Sequence, residues 1–461
     1  MGKKGAGNHI TRREFIKSAA IGIGLAATSP LTLAAPKTKR TRPPRNKLKI
    51  PKTISANNHL MVAAPTISEI GGGRSSKVLA YKSFPAPTLT ARSGETVSIK
   101  LRNKLQQETI THWHGMMVDT PNDGGPQEAI LPGESYGYQF EINQRAAFNW
   151  YHPHPHMLTG KQVNLGMAGG FIIRDAEEDA LQLPTGKYEI PLIIRDAAFD
   201  GHGNLMYVPD PQGFFGNTPL VNGTLSPTQA VDRGVYRFRV LNGANARVFR
   251  IGLSNNQQMT LIGNDGGLLA QPSNLTTITL GPAERLDLLI DFSALNAGAT
   301  LMLRDFDSGW DLLEFVGTGL NGYAYQTPPN LSVIDPLDGP TDVTRNFEFF
   351  GHNLINGQSF EMDRIDFQVP FGVVERWQFY AFTAGPHPIH VHGASFQVMS
   401  RQGGRNRVFD WERGWKDTIL LQSQETVDAL IRFDRHRGRF LLHCHNLEHE
   451  DMGMMSNFEV V

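Results

Sequence analysis

One short pattern occurs three times along the chain at a nearly constant distance. A glycine is followed by alternating apolar and polar residues in segments that begin at Gly94, Gly234 and Gly372. These starts are 140 and 138 residues apart. Alternation with a period of two is typical of a strand that buries one face. Repetition at the length of a domain therefore predicts three related β domains.

A second alternating segment follows each copy of the first, near Leu131, Leu280 and Glu425. The chain has 47 Gly and 28 Pro but only 19% charged residues, which favours short strands and turns over long surface helices. We predict an all-β protein built from sandwiches or barrels. Its predicted domains are residues 50–175, 176–329 and 330–461.

The first 35 residues have the features of an export signal. Arg12 and Arg13 are followed by Phe-Ile-Lys and then by an apolar, Gly/Ala-rich run that ends at Ala35. This arrangement resembles a bacterial twin-arginine signal, whose export machinery carries folded proteins. We expect a periplasmic protein that is cleaved near Ala34 or Ala35. A basic N-terminal tail is the alternative.

Charge is unevenly distributed although the chain has 44 basic and 44 acidic residues. Twelve basic residues and one acidic residue precede Ile50, so the remainder has 32 basic and 43 acidic residues. An acidic body argues against nucleic-acid binding. We interpret residues 36–49, which are strongly basic, as a solvated linker. No run of about 20 apolar residues occurs, so we expect no stable membrane anchor.

Ten of the 16 histidines lie in four short clusters. The clusters are His112-Trp-His114, His152-Pro-His154, His387-Pro-Ile-His390-Val-His392, and His443-Cys444-His445 with His449 shortly after it. On a strand, residues two apart point to the same face, so each His-x-His presents two imidazoles to one point. Neutral imidazole is the commonest metal ligand. The clusters therefore predict metal binding, whereas isolated histidines such as His352 receive no role.

The donor types indicate copper. Structural zinc sites usually contain several cysteines, and this chain has only Cys444. Two histidines, one cysteine and a weak axial methionine form a blue-copper electron-transfer site. Met454 follows the single cysteine within the same segment. The other clusters offer imidazole alone, which suits copper that binds dioxygen.

With these motifs the chain resembles the bacterial multicopper oxidases, a family that includes laccases, bilirubin oxidases and periplasmic cuprous oxidases. The resemblance covers about residues 50–461 and implies three cupredoxin-like domains. It implies four coppers per chain: a type 1 (blue) copper in the third domain, and one type 2 and two type 3 coppers in a trinuclear cluster between the first and third domains. The implied ligands are His387, Cys444, His449 and axial Met454 for type 1; His112 and His390 for type 2; and His114, His152, His154, His392, His443 and His445 for type 3.

Local geometry is consistent with this assignment. Alternation sends Cys444 to one face of its strand and His443 and His445 to the other. Electrons could then pass from the cysteine sulfur through the adjacent backbone to the cluster. The second domain has arginines, Arg247 and Arg250, where its repeat would offer histidines. We therefore expect it to bind no copper.

Two carboxylates are candidate proton donors. Asp123 lies nine residues after His114, and Glu450 directly follows His449. Both match positions where the family keeps a carboxylate near the cluster, so the resemblance implies a catalytic role. The alternative for Asp123 is a turn residue, since Asn-Asp-Gly-Gly-Pro has strong turn chemistry. We expect His156 to line a pocket and not to bind metal.

The implied reaction couples four one-electron oxidations of a donor to the reduction of dioxygen to two waters. Cuprous oxidases of the family carry a methionine-rich insertion before the first blue-copper histidine, and no such insertion precedes His387. We therefore expect laccase-like oxidation of phenols and other small donors. A periplasmic cuprous oxidase in copper tolerance is the alternative, because the ending His-Glu-Asp-Met-Gly-Met-Met is similar to that group. A copper store and a cell-division scaffold of this fold fit the complete ligand set less well.

Overall fold

The computed structural model describes residues 45–338, 343–382 and 385–461. The predicted export signal and residues 36–44 of the predicted linker lie outside the described residues. Within the described chain the α-helices are four to six residues long, and none is long and apolar enough to cross a membrane. Strands account for most of the regular structure, which confirms the predicted all-β class.

The first β-sandwich consists of a five-stranded and a four-stranded sheet. In chain order the elements up to residue 180 are β1 (Asn46–Lys47), β2 (Thr53–Ser55), β3 (His59–Gly71), β4 (Arg74–Tyr81), β5 (Thr88–Arg92), β6 (Thr96–Asn103), β7 (Thr111–His114), α1 (Thr120–Asp123), β8 (Ser135–Glu141), β9 (Ala147–Pro153), α2 (Thr159–Asn164), β10 (Gly169–Arg174) and α3 (Ala176–Ala180). The sheets have the strand orders β2-β5-β10-β9-β7 and β4-β3-β6-β8.

The second sandwich is the largest and also has two sheets. Its strands are β11 (Glu189–Phe199), β12 (Leu205–Met206), β13 (Thr218–Val221), β14 (Thr224–Leu225), β15 (Pro227–Arg233), β16 (Val235–Asn242), β17 (Phe249–Leu253), β18 (Met259–Asn264), β19 (Gly267–Leu275), β20 (Thr277–Leu280), β21 (Arg285–Asp291), β22 (Thr300–Asp305) and β23 (Asp311–Asn321). One sheet runs β14-β13-β11-β16-β21-β18-β19, with β12 paired to β11, and the other runs β1-β15-β23-β22-β17-β20.

The third sandwich has two five-stranded sheets. Its elements are β24 (Thr344–Phe350), β25 (Leu354–Ile355), β26 (Phe367–Val369), β27 (Val374–Ala381), β28 (His387–Val391), β29 (Phe396–Gln402), β30 (Thr418–Leu421), β31 (Thr426–Arg432), β32 (Gly438–Cys444), α4 (Leu447–Asp451) and β33 (Met455–Val460). The strand orders are β25-β24-β27-β31-β29 and β26-β33-β32-β28-β30.

The repeated sequence segments form equivalent strands in the three sandwiches. The first repeat becomes β6, β16 and β27, and the second becomes β8, β21 and β31. In every sandwich the two repeats pair with each other in antiparallel register. A preceding strand, β3, β11 or β24, lies parallel to the first repeat. The repetition in sequence is therefore a repetition of topology.

The middle copy of the first repeat is buried on both faces. β6 and β27 alternate between buried and more exposed residues, as the pattern predicts, but nearly all of β16 is buried. Arg237 and Arg239 of β16 form ion pairs with Glu178, Glu189 and Asp287. A buried guanidinium requires such partners because an uncompensated charge in the interior is costly. Alternation thus identifies this strand but not the burial of its polar face.

The last residues of the predicted linker belong to the second sandwich. β1 pairs in parallel with β15, with Asn46 opposite Pro227. Leu48, directly after it, is 2% exposed and packs in the apolar core of that sandwich. The basic composition of this segment gave no indication of a strand, because strand pairing depends on the backbone and on one apolar anchor.

Candidate metal centre

Two pairs of adjacent strands carry the clustered histidines. In the first sandwich β7 pairs with β9, which places His112 opposite His152. In the third sandwich β28 pairs with β32, which places His390 opposite His443. Because residues two apart share a face of a strand, each pair of strands gathers several imidazoles at one end of its sheet.

Eight histidines from these two sandwiches meet in one buried cluster, which we call the histidine cluster. Its members are each at most 1% exposed: His112, His114, His152, His154, His390, His392, His443 and His445. Across the two sandwiches, Nε2 of His390 lies 3.4 Å from Nε2 of His112. Within the third sandwich, Nε2 of His392 lies 3.1 Å from Nε2 of His443. Several triads within the cluster have ligand atoms close enough to share one metal ion.

The nitrogens of the histidine cluster fit a set of metal ions. Nε2 of His152, Nε2 of His154, Nε2 of His445 and Nδ1 of His114 are buried atoms without a hydrogen-bond partner. Buried polar atoms are normally satisfied, and an orphaned one calls for an explanation such as a missing ion. Imidazole nitrogen is a good ligand for copper. The donor set therefore fits copper.

Burial favours the neutral form of four imidazoles of the cluster, those of His114, His152, His390 and His443. Desolvation lowers the pKa of His114, His152 and His390 well below the ordinary value, and neighbouring histidines lower it further. Desolvation also lowers the pKa of His443, to about 3. A neutral imidazole has a free lone pair, which metal binding requires. The site thus offers unprotonated ligands at neutral pH.

A second donor group, which we call the cysteine site, lies in the core of the third sandwich. The Sγ of Cys444 lies 3.5 Å from Nδ1 of His387 and 3.6 Å from Nδ1 of His449. Met454 is fully buried, and its backbone N–H donates to His449 while its carbonyl accepts from Cys444. Burial raises the pKa of the Cys444 thiol, so ionisation there requires a compensating cation. The geometry brings together the donor atoms of three sequence-predicted type 1 ligands, and the backbone of Met454 is hydrogen-bonded to two of these residues.

The two donor groups are joined through a single tripeptide. Cys444 lies in the cysteine site, while its neighbours His443 and His445 lie in the histidine cluster. His445 contacts the rings of His114 and His152, with centroids 5.0 and 5.1 Å away. The opposite orientation of successive residues on β32 explains this arrangement.

Both sequence-predicted carboxylates contact the histidine cluster. Oδ2 of Asp123 accepts from Nδ1 of His392 at 2.7 Å, and Oδ1 lies 3.4 Å from Nδ1 of His112. The oxygens of Glu450 lie 3.4 Å from Nδ1 of His154 and 3.3 Å from Nδ1 of His443. Asp123 also ends helix α1, so its turn position and its histidine contacts coexist.

The helix that carries His449 is held from both other sandwiches. Glu448 of α4 accepts from the backbone N–H of Phe214 and from Nδ2 of Asn245, both at 2.7 Å. Asp451 accepts from the first two backbone N–H groups of α2, at Thr159 (2.9 Å) and at Gly160 (3.0 Å). Sequence reasoning gave these acids no role, because their partners lie more than 200 residues away.

A cavity of about 490 Å³ lies beside the cysteine site. It is lined by His156, as expected, and by Met157, His352, Phe360 and Met452 among others. The ring centroid of His352 is 5.0 Å from that of His449, so this isolated histidine connects the cavity to the cysteine site. From the sequence alone, His352 is an isolated histidine without a predicted role. Its single position in the loop between β24 and β25 gave no signal.

Comparison with known proteins identifies the family. Models of the multicopper oxidase family match residues 62–178, 174–302 and 327–461. The chain is 33% identical over 429 residues to multicopper oxidase mco of Staphylococcus aureus, covering 90% of this chain and 93% of that protein. It is 31% identical to a laccase of Bacillus stratosphericus, covering 82% of this chain and 89% of the laccase.

A solved structure gives the same result. The McoA multicopper oxidase of Aquifex aeolicus superposes with a TM-score of 0.86 at 34% identity, covering 90% of this chain and 99% of that one. The chain belongs to the multicopper oxidase family, and its three sandwiches are cupredoxin-like. It is a copper-dependent oxidoreductase.

Proposed function

We propose that this protein oxidises phenols and other small donors by single electrons in the periplasm and reduces dioxygen to two waters. The observation that carries the proposal is the complete set of buried donors. The cysteine site is joined through one tripeptide to the histidine cluster. A copper store or a cell-division scaffold would not require this connection.

We assign four coppers to these donors. The type 1 copper would be held by His387, Cys444, His449 and, axially, Met454; the type 2 copper by His112 and His390; and the type 3 pair by His114, His152, His154, His392, His443 and His445. When bound, copper supplies one-electron redox chemistry at the cysteine site and dioxygen reduction at the histidine cluster. The polypeptide provides the path between them, from Cys444 through its backbone to His443 and His445.

We further propose that Asp123 and Glu450 deliver the protons that form water. Their carboxyl groups contact different histidines of the cluster, and Glu450 is 1% exposed. A positioned carboxyl group can pass a proton within hydrogen-bond reach or through one water. Burial also raises the pKa of Glu450 well above its ordinary value, so it can hold a proton at neutral pH.

Glu450→Gln is expected to slow reoxidation of the reduced enzyme by dioxygen about a hundredfold, since the amide preserves shape but cannot transfer a proton. Anaerobic reduction by a phenol should proceed at the wild-type rate. In a stopped-flow instrument, recovery of the blue absorption measures reoxidation by dioxygen. Loss of the blue absorption after anaerobic mixing with the phenol measures reduction. Equal slowing of both steps, or a normal rate of reoxidation, would contradict the proton role.

The cavity beside His352 is the proposed donor site. Thioether and aromatic side chains, here Met157, Met452 and Phe360, make favourable contacts with a planar ring. His156 also lines this cavity, and an imidazole can form a hydrogen bond with a phenolic hydroxyl. His352 then places the donor next to His449.

Oxygen uptake with a phenol and with Cu(I), measured side by side, tests this substrate class. We expect His352→Ala to lower kcat/KM for phenols by about threefold to tenfold, the value of one lost ring contact. His202→Ala, which removes an exposed histidine of the second sandwich, is the matched control and should have no effect. Faster turnover with Cu(I) than with any phenol would favour the cuprous oxidase alternative.

Export by the twin-arginine machinery and cleavage near Ala34 or Ala35 complete the proposal. The basis is the sequence around Arg12 and Arg13, ahead of a weak apolar run.

A further inference from the structure

An arginine of the second sandwich, Arg285, is linked to the histidine cluster through one carboxylate. Arg285, the first residue of β21, is fully buried, and its guanidinium binds both carboxylate oxygens of Asp417. The Nη1–Oδ1 distance is 2.7 Å. Its other bonds go to the carbonyls of Phe148 at 3.0 Å, Ala283 at 3.1 Å and Asp265 at 3.2 Å. These five hydrogen bonds match the five N–H donors of a guanidinium, so its orientation is fixed.

Asp417, directly before β30, connects this fixed guanidinium to a histidine of the first sandwich. Its Oδ1 lies 3.0 Å from Nε2 of His114, and the hydroxyl of Thr418 lies at the same distance. A carboxylate only accepts hydrogen bonds, so it favours the tautomer with hydrogen on Nε2. Nδ1 of His114 then has its lone pair free, and this atom is buried without a partner.

The same residue also orients a histidine of the third sandwich. The backbone carbonyl of Asp417 accepts from Nδ1 of His390 at 2.8 Å. This contact leaves Nε2 of His390 facing Nε2 of His112. Asp417 therefore holds one ring from each of the two sandwiches that form the histidine cluster.

The backbone at Gly115, next to His114, packs closely against the ion pair of Arg285 and Asp417. Gly115 has a φ of +88°, and a Cβ atom there would lie 2.7 Å from Nη2 of Arg285 and 2.8 Å from Oδ2 of Asp417. The ion pair thus packs directly against the chain that carries the histidine. Buried ion pairs are seldom more stabilising than apolar packing, so their value here must be sought in orientation.

We propose that Arg285 is a positioning residue by which the copper-free second sandwich fixes the ring orientation and tautomer of His114. This inference rests on the proposed role of His114 as a copper ligand. The chain of contacts is Arg285 to Asp417 to His114, with every residue at most 2% exposed. Outer partners of this kind typically change metal affinity tenfold to a hundredfold when they are lost.

Arg285→Lys in the full-length, copper-loaded enzyme tests the inference. Lysine keeps the charge but cannot bind a carboxylate through two parallel hydrogen bonds. We expect copper retention by the trinuclear cluster against a chelator to weaken by about tenfold or more. The absorption of the type 3 pair, to which His114 is assigned, should change, while the blue absorption stays as in the wild type.

Arg237→Lys is the matched control. Arg237 is equally buried in the second sandwich and binds Asp287 through two nitrogens, but it contacts no histidine. Arg237→Lys should lower the melting temperature without changing copper retention or the absorption of the type 3 pair. Equal effects of the two substitutions on copper, or no effect of Arg285→Lys, would overturn the inference.

Asp417→Asn provides the second variant if Arg285→Lys fails to fold. Its amide can rotate to present N–H to Nε2 of His114 and so favours the other tautomer. We expect the same weakening of copper retention and the same spectral change as in Arg285→Lys. A wild-type spectrum would refute the positioning role of Arg285 and Asp417. A wild-type enzyme that binds only one or two coppers would instead refute the ligand assignment, which separates the two failures.

Discussion

Cys444→Ser is expected to abolish the oxidation of every donor while the protein stays folded and retains about three coppers. A hydroxyl is a poor copper ligand near neutral pH, because it stays protonated where a metal-bound thiol ionises. The substitution is nearly isosteric, so the fully buried position should pack almost unchanged. His443 and His445 point into the histidine cluster and remain available. Dioxygen could then reach copper but receive no electrons from the donor.

Copper analysis, visible absorption and oxygen uptake with a phenol and with Cu(I) measure this outcome. The blue absorption should disappear, and the copper content should fall by one ion per chain. Met454→Leu, also at a fully buried position, is the control: it removes only the proposed weak ligand and should leave a blue, active enzyme. Oxidation of phenols by Cys444→Ser at near the wild-type rate would show that electrons do not pass through Cys444.

Replacement of Arg12 and Arg13 together by lysine is expected to eliminate the periplasmic protein. The proposed copper sites exist only after folding, since the histidine cluster joins His112 to His390, 278 residues apart. An export route that carries folded proteins suits such a site. The paired arginines are the signal that the machinery of this route recognises. The effect should be nearly all-or-none because recognition precedes transport.

Fractionation followed by detection of the mature chain measures export. Lys17→Arg, a substitution of the same kind in the same segment, is the matched control and should be exported normally. Undiminished periplasmic protein from the double lysine variant would disprove twin-arginine export. Loss of export in the control as well would indicate a general requirement for charge and would equally count against the twin-arginine interpretation.

Much of the fold could be predicted because its signals are local. Alternation over eight residues identifies β6 and β27, and the distance between repeats predicts the number of sandwiches. The burial of Arg237 on β16 could not be predicted in this way. It depends on Glu178 and Asp287, which come from separate parts of the chain.

The sequence by itself determined the types of donor and their local grouping. In His443-Cys444-His445 the period of a strand is enough to separate the cysteine from its neighbours. Residues such as His352, Asp417 and Arg285 carry no comparable pattern, and only the tertiary structure decided their contacts with the two donor groups. His114 and Asp417 are 303 residues apart, and Arg285 and Asp417 are 132 apart. Such contacts arise from the packing of three sandwiches. This packing decides which polar group lies next to the second nitrogen of a buried imidazole, and that group fixes the orientation of the ring.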